Sequence, residues 1–152
     1  MVQPQEAGIC TEDLDVQAEI VNLHNALRSN VQPSAKNMLK MRYSAEVAAS
    51  AQAWIDNCQL AHGPNTSRII KGYELGENLH ESTEIKTWTE VINAWYAERG
   101  RYTYPRGVTY PTGHYTQVVW FSSYEVGCGV KLCNDVYFYG CHYYRAYVKT
   151  IL

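Results

Sequence analysis

The sequence predicts an α+β fold in which helices pack against an antiparallel sheet. Apolar residues recur at helical spacing in three segments of the first hundred residues, and strand-forming residues dominate later in the chain. Helices that come first and strands that come last are typical of this class. With 152 residues, of which 46% are hydrophobic, the chain is long enough for one domain with a proper core.

The first predicted helix begins at Thr11 or Asp13 and ends near Asn30 and Pro33. A mobile arm, residues 1–11, precedes it, because that segment has no apolar period. The buried face of the helix follows from spacings of four, three and four residues, which gather Val16, Ile20, Leu23 and Leu27.

Two further helices are predicted on either side of a long loop with short elements over residues 59–86. Ser44 can cap the second helix, with Glu46 at its positive end. Its buried stripe comprises Val47, Ala51, Trp54, Ile55 and Cys58. The third helix opens at Thr87 or Thr89, and its inward side chains are Trp88, Val91, Ile92 and Trp95.

Three strands are predicted at the end of the chain, over residues 114–120, 125–133 and 136–144. Asn134-Asp135 supplies the tight turn between the last two. In the first of these strands, alternate side chains would share one face, which would carry His114, Thr116, Val118 and Trp120. A loop rich in Tyr, Pro, Gly and Arg precedes it, with Tyr102, Tyr104 and Tyr110 as contact residues for a protein or lipid.

Charge and hydropathy exclude several kinds of partner. The formal net charge of −2 gives no electrostatic basis for binding nucleic acid or an anionic membrane surface. No apolar run approaches the ~20 residues of a membrane helix, so we do not expect an integral membrane protein. The first residues lack a basic start and an apolar stretch, so no signal peptide is expected there. The chain is then either cytosolic or the mature form of a secreted protein.

Five cysteines stand at Cys10, Cys58, Cys128, Cys133 and Cys141. Their spacing alone selects no pairing, and the absence of a C-x-x-C knuckle argues against a structural zinc site. Disulfide bridges would indicate an oxidising compartment. An acceptor sequon for glycosylation occurs at Asn65-Thr66-Ser67 and matters only if the chain is secreted.

Five ordered motifs resemble those of the CAP superfamily. They are Leu23-His24-Asn25-Ala26-Leu27-Arg28, a group from Ala53-Trp54 through Asn57-Cys58 to His62-Gly63-Pro64, Gly76-Glu77-Asn78-Leu79, Trp95-Tyr96-Ala97-Glu98, and Gly113-His114-Tyr115-Thr116-Gln117-Val118-Val119-Trp120. The resemblance covers residues 12–143 and is closest to the vertebrate cysteine-rich secretory proteins. It implies a three-layer α-β-α sandwich with a central antiparallel sheet over residues 12–144, followed by a divergent tail over 145–152. We do not expect the C-terminal cysteine-rich domain of that branch here, and so we do not expect channel regulation.

The resemblance also implies a disulfide pairing. Cys58 would bond to Cys133 and Cys128 to Cys141, leaving Cys10 unpaired. The family's third bridge is absent, because Leu75 and Tyr144 occupy its positions. We therefore expect a secreted monomer, in which Cys10 could allow a disulfide-linked dimer.

By the same resemblance, four side chains meet in a central cleft: His62, Glu77, Glu98 and His114. His62 and His114 would be the main ligands of a divalent metal such as Zn²⁺, which the domain does not require. Without metal, the four side chains would form a polar network in which each group hydrogen-bonds to another, and this network would order the neighbouring loop.

The expected function is that of a binding protein, with a sterol or other lipid or a protein as partner. An alternative is a metal- or Ser-dependent peptidase. However, no candidate hydroxyl lies in a G-x-S-x-G elbow, and we do not expect an enzyme. The candidates are Ser67, Ser82, Thr83 and Thr116. A second alternative is a structural interaction domain without a ligand.

Overall fold

The chain folds into three layers, with helices on both faces of a four-stranded sheet. The structure, a computed structural model, describes residues 8–31, 37–101 and 113–146. Its α-helices are α1 (Leu14–Ser29), α2 (Ala45–Ile55), α3 (Trp88–Tyr96) and α4 (Gly113–Val118). The sheet consists of β1 (Arg42–Tyr43), β4 (Gly76–Ser82), β5 (Glu125–Cys133) and β6 (Val136–Tyr144), and a separate hairpin is formed by β2 (Ile69–Ile70) and β3 (Tyr73–Glu74). The predicted α+β class and sandwich architecture are confirmed.

The sheet has the strand order β1-β5-β6-β4. The pairs β5–β6 and β6–β4 are antiparallel, as expected, whereas the two-residue strand β1 pairs parallel to β5. The turn between β5 and β6 lies at Asn134 and Asp135, whose φ angles of 49° and 68° suit a tight hairpin. Strand β4 is at the end of this order and is therefore an edge strand, and its side chains alternate between the two faces of the sheet along that edge.

Different helices cover the two faces of the sheet. The larger core cluster joins α1, α3 and α4 to the face that carries Cys141 and Tyr143. Helix α2 covers the opposite face through Val47 and Ile55. Ser44 caps α2 as predicted, and Thr87, one of the two predicted starts of the third helix, caps α3. Each side chain accepts a hydrogen bond from a backbone N–H of its helix. Cys58, predicted as part of the α2 stripe, lies beyond the end of that helix.

Helix α2 approaches β5 closely because glycines face it. A Cβ at Gly127 would stand 2.0 Å from the backbone nitrogen of Ala48, and one at Gly129 would stand 2.8 Å from Cα of Gln52. No other residue fits at such separations without displacing the helix. The glycines therefore set the height of α2 above the sheet, and with it the start of the loop that carries His62.

Arg28, at the end of α1, is buried with 2% of its surface exposed. Desolvation by burial lowers the pKa of its guanidinium to about 10. The guanidinium donates to five carbonyl oxygens at 2.6 to 3.4 Å, those of Leu39, Val118, Trp120, Phe121 and Ser123. Arg28 thus ties the end of α1 to the chain around and after α4.

The strand predicted over residues 114–120 is wrong, because Gly113–Val118 is the helix α4. The deciding contact comes from the side chain of Glu98. Its Oε1 accepts hydrogen bonds from the backbone N–H groups of His114 and Tyr115, at 3.0 and 3.1 Å. These N–H groups have no partner within a helix, so the carboxylate favours the helical conformation over a strand. The predicted division of this segment into alternating faces is therefore also wrong.

Strand β4 lies inside the predicted long loop over residues 59–86, and at seven residues it is the longest of the short elements expected there. It pairs with β6 along seven residues, from Gly76 opposite Tyr143 to Ser82 opposite Tyr137. Its polar composition carries no strand pattern, and the pairing with an apolar neighbour decides its conformation. The Gly-Glu-Asn motif consequently lies on a strand rather than in a loop.

The ends of the described chain contact the domain. Ile9 is buried in the main core, and its carbonyl oxygen accepts a hydrogen bond from Nε1 of Trp88 at 2.9 Å. Arg145, at the start of the predicted tail, places its guanidinium 4.6 Å from the ring centroid of Tyr73. The rest of the predicted arm and tail, and the tyrosine loop before residue 113, lie outside the described residues.

The structure contains the two expected disulfides. Cys58 is bonded to Cys133 across a sequence separation of 75 residues, and Cys128 to Cys141 across 13. Cys10 is a free thiol, also as expected. Leu75 and Tyr144, at the positions of the family's third bridge, pack in one hydrophobic cluster instead.

Candidate functional site

Glu77 of β4 and His62 form the first histidine–carboxylate pair. Its Oε1 accepts hydrogen bonds from Nδ1 of His62 at 2.8 Å and from the backbone N–H of Gly63 at 3.0 Å. The Glu77 side chain is 1% exposed, whereas that of His62 is 60% exposed. The His62 imidazole therefore lies at the surface, with Nδ1 turned inward to a buried carboxylate.

A second histidine, His142, contacts the same carboxylate from within the protein. Its Nε2 lies 2.7 Å from Oε2 of Glu77, and its Nδ1 lies 2.8 Å from Oγ of Ser50 in α2. His142 stands directly opposite Glu77 in the β4–β6 pairing. Sequence reasoning missed both His142 and Ser50, because the signal is the strand register and not a motif.

The protonation state of Glu77 follows from these contacts. Burial by itself raises the pKa of this carboxyl, but hydrogen bonds from His142 and His62 together outweigh it. The backbone N–H of Gly63 adds to their effect. The net result is a pKa of about 2, so Glu77 is an ionised hydrogen-bond acceptor at neutral pH.

Glu98 and His114 form the second pair. Oε2 of Glu98 lies 2.8 Å from Nδ1 of His114, while Oε1 binds the first turn of α4 as described above. One carboxylate thus fixes both the backbone and the ring of His114. The indole of Trp95 stacks on that ring at a centroid distance of 6.2 Å and an interplanar angle of 17°. Trp95 is itself held to β4 through a hydrogen bond from Nε1 to the carbonyl oxygen of Leu79, at 3.0 Å.

The two pairs approach β4 from opposite faces of the sheet. Glu77 points to the α2 face, where its partner His142 meets Ser50, whereas His114 belongs to the layer of α3 and α4. Between them, Asn78 donates a hydrogen bond to the carbonyl oxygen of His114 at 3.1 Å. The structure therefore brings the four predicted cleft residues together as two pairs at the edge strand. Their union in one cleft stays a prediction.

Both pairs specify the same tautomer for the surface-facing histidines. An ionised carboxylate only accepts hydrogen bonds, so a neutral ring bonded to it through Nδ1 carries its hydrogen there. Nε2 then carries the lone pair in both His62 and His114. Metal-binding histidines commonly have this arrangement, in which one nitrogen donates to a carboxylate and the other coordinates the ion.

Among residues 8–31, 37–101 and 113–146, no group of three or more His, Cys, Asp or Glu side chains is arranged to hold a metal ion. The chemistry available at the edge of β4 is therefore that of two imidazole nitrogens and not of a closed cage of protein ligands. Such an open arrangement suits a weakly bound, exchangeable ion and not one that drives folding.

Comparison with known families assigns the fold. The model of the cysteine-rich secretory protein family, the CAP family, matches residues 21–143. The chain belongs to this family. The matched range includes the four predicted cleft residues and four of the five cysteines.

Solved structures of similar shape include NaASP2 with Zn²⁺, with a TM-score of 0.78 and 26% identity over 89% of this chain and 82% of that chain. Na-ASP-1 gives a TM-score of 0.75 and 31% identity over 85% of this chain, which corresponds to 38% of that larger protein. Venom allergen-like protein 4 of Schistosoma mansoni gives a TM-score of 0.73 and 24% identity over 90% of this chain and 96% of that chain. At that identity, the similarity shows only that the fold is shared.

The described part of this CAP protein also bears on the membrane and enzyme alternatives. None of its helices is long and apolar enough to cross a membrane.

A Ser–His–carboxylate series does exist, formed by Ser50, His142 and Glu77, but Ser50 lies inside α2. Backbone N–H groups within a helix bond to carbonyl oxygens four residues earlier, so they do not form an oxyanion hole beside that hydroxyl.

Proposed function

We propose that this CAP protein is a secreted binding protein that holds a divalent metal ion, with Zn²⁺ as the preferred candidate, through Nε2 of His62 and His114. The observation that carries the proposal is the matched pair of hydrogen bonds, 2.8 Å each, from Nδ1 of these rings to Glu77 and Glu98. Both rings are thereby oriented with the nitrogen that coordinates metals directed away from the carboxylate.

The donor set fits this ion. Neutral imidazoles are common Zn²⁺ ligands, and the carboxylate behind each one fixes the orientation of its ring. When bound, Zn²⁺ would supply a Lewis-acidic centre and a link between the two helical layers. The chain's own contribution is to orient the rings: Glu77 holds His62, while Glu98 and the stacked indole of Trp95 hold His114. The crystal structure of NaASP2 with Zn²⁺, a protein 26% identical to this chain, supports the choice of metal.

Calorimetric titration of the metal-free protein with Zn²⁺ at pH 7 tests the proposal. We expect affinity in the micromolar range or weaker, because two imidazoles leave the site open. His114→Ala should abolish binding, and so should the double variant His62→Ala with His114→Ala. His80→Gln is the matched control, since His80 is a half-buried histidine of β4 outside the ligand pair. Undiminished Zn²⁺ binding in the double variant would rule out a metal site at His62 and His114.

Two further variants separate ligands from supporting groups. Glu77→Gln replaces the ionised acceptor by an amide and should weaken Zn²⁺ binding without abolishing it. Binding should also fall steeply below about pH 6, because protons compete with the metal for both imidazoles. A Zn²⁺ affinity that is independent of pH between 5 and 7 would contradict coordination by histidine.

The proposal includes secretion and a protein or lipid partner. Family membership supports both, since proteins of this family are typically secreted and generally bind proteins or lipids. The two disulfides fit an extracellular protein. Titration with a fluorescent sterol and a fluorescent fatty acid, with and without Zn²⁺, tests the lipid alternative. Absence of saturable binding for both would leave a protein as the partner.

A further inference from the structure

A hydrogen-bonded series of four side chains begins inside the protein and ends at the exposed ring of His62. It runs from Ser50 to His142, then to Glu77 and to His62, with separations of 2.8, 2.7 and 2.8 Å. We propose that His142 is a positioning residue of the metal site, which acts through Glu77 to hold His62 in the tautomer that coordinates metal. This inference rests on the proposed metal-binding function.

The direction of every hydrogen bond in the series follows from its central member. The carboxylate of Glu77 accepts at both oxygens, because the backbone N–H of Gly63 and both imidazoles point at it. A neutral His142 ring then carries its hydrogen on Nε2, and its Nδ1 accepts from the hydroxyl of Ser50. A neutral His62 ring likewise carries its hydrogen on Nδ1. No member can reverse its hydrogen bonds unless Glu77 turns.

Burial makes His142 a fixed support and not another surface ligand. Its side chain is 1% exposed, and it is held between β4, β6 and α2. Without its donor, Oε2 of the buried Glu77 carboxylate would lose a charge-assisted hydrogen bond inside the protein. The carboxylate would then turn to recover a partner, and the orientation of Oε1 toward His62 would no longer be fixed.

The tautomers can be measured directly in the metal-free wild-type protein. Long-range proton–nitrogen correlation spectra distinguish imidazoles protonated at Nδ1 from those protonated at Nε2. We expect His62 to carry its hydrogen on Nδ1 and His142 on Nε2. His62 observed mainly as the Nε2–H tautomer in the wild-type protein would overturn the proposal, and no variant is needed for that result.

Two substitutions then test the role of His142. His142→Leu removes the donor to Glu77, whereas His142→Gln keeps an N–H group that can reach it. In His142→Leu we expect His62 to become a mixture of tautomers and the Zn²⁺ affinity to fall by roughly 10- to 100-fold. His142→Gln should restore most of the affinity and the single tautomer. His114 is the internal control, because Glu98 holds it independently of His142.

The outcomes separate this inference from the proposed function. If the wild-type protein binds no Zn²⁺ but His62 loses its single tautomer in His142→Leu, the metal site is wrong and the positioning role stands. If His142→Leu is folded and binds Zn²⁺ as the wild type does, with His62 unchanged, the positioning role is wrong. Equal disturbance of His62 and His114 would show general unfolding of the site and would also overturn the specific role.

Discussion

The phenol oxygen of Tyr143 lies 3.0 Å from Nε2 of His24, joining the last strand to the first helix inside the core. Nδ1 of His24 is 2.8 Å from the carbonyl oxygen of Ile20, so this ring donates through Nδ1 and accepts from Tyr143 through Nε2. Tyr143 in turn accepts a hydrogen bond from Asn78 of β4. His24 is thus a neutral connection between α1 and the two strands that carry the site.

The stability of the fold should decrease as this histidine is protonated. Desolvation by burial lowers the pKa of His24 from 6.5 to about 4. The unfolded chain therefore takes up the proton first, and the folded state loses stability as the pH falls from 6.5 to 4. The contribution is on the order of 3 kcal/mol. Denaturant unfolding at several pH values should show this loss in the wild type and a flatter profile in His24→Gln. Parallel profiles would contradict the assignment.

Arg28→Lys should destabilise the fold by about 3 kcal/mol, because one ammonium cannot replace a guanidinium shared among five carbonyl oxygens. The measurement is the free energy of unfolding in urea. Arg42→Lys is the matched control: Arg42 is exposed and paired with Glu125, so its substitution should change stability by less than about 0.5 kcal/mol. Similar losses in both variants would show that burial of Arg28 is not the cause.

Gly127→Ala should be among the most damaging single substitutions in the sheet. The added Cβ would meet backbone atoms of α2, which cannot move without lifting the helix, and a cost of about 3 kcal/mol is expected. Gly140→Ala is the comparison, since its Cβ would meet the side-chain ends of Ile55 and Leu79 at 2.8 and 3.0 Å. These atoms can shift, so about 1 kcal/mol is expected there. Equal melting temperatures for the two variants would contradict the steric account.

The two disulfides should contribute unequally. Replacing Cys58 and Cys133 together by Ser opens a loop of 75 residues and should cost about 4 to 5 kcal/mol in the chain-entropy model. The corresponding change at Cys128 and Cys141 opens a loop of 13 residues and should cost about 3 kcal/mol. Peptide mapping without reduction should recover both bridges and find Cys10 alkylated. A bridge to Cys10 in the monomer would contradict the pairing.

Helices α1, α2 and α3 and the β5–β6 hairpin could be predicted from the sequence because their signals are local. The apolar spacing of α1 and α3, the cap at Ser44, and the Asn134-Asp135 turn each depend on residues close in the chain. The four predicted cleft residues could be named only through the family resemblance, since they are spread over 52 positions, from His62 to His114.

The errors in prediction arose where distant residues decide the local structure. Glu98 stabilises α4 from 16 positions away in the sequence and overrides the β propensity of the segment after Gly113. Strand β4 needs β6, which follows it by more than fifty residues. His142 enters the site through the same pairing. Each case depends on a contact that exists only after the chain has folded.

The placement of Glu77 and Asn78 on opposite faces of β4 makes the site sensitive to strand register. A slip of one residue against β6 would turn Glu77 into the aromatic core and Asn78 toward α2. An ionised carboxylate would then be buried without its imidazole partners, at a cost far above that of an apolar mismatch. Glu77 and Asn78, which hold His62 and the backbone of His114 in place, therefore also select the correct pairing of the edge strand during folding.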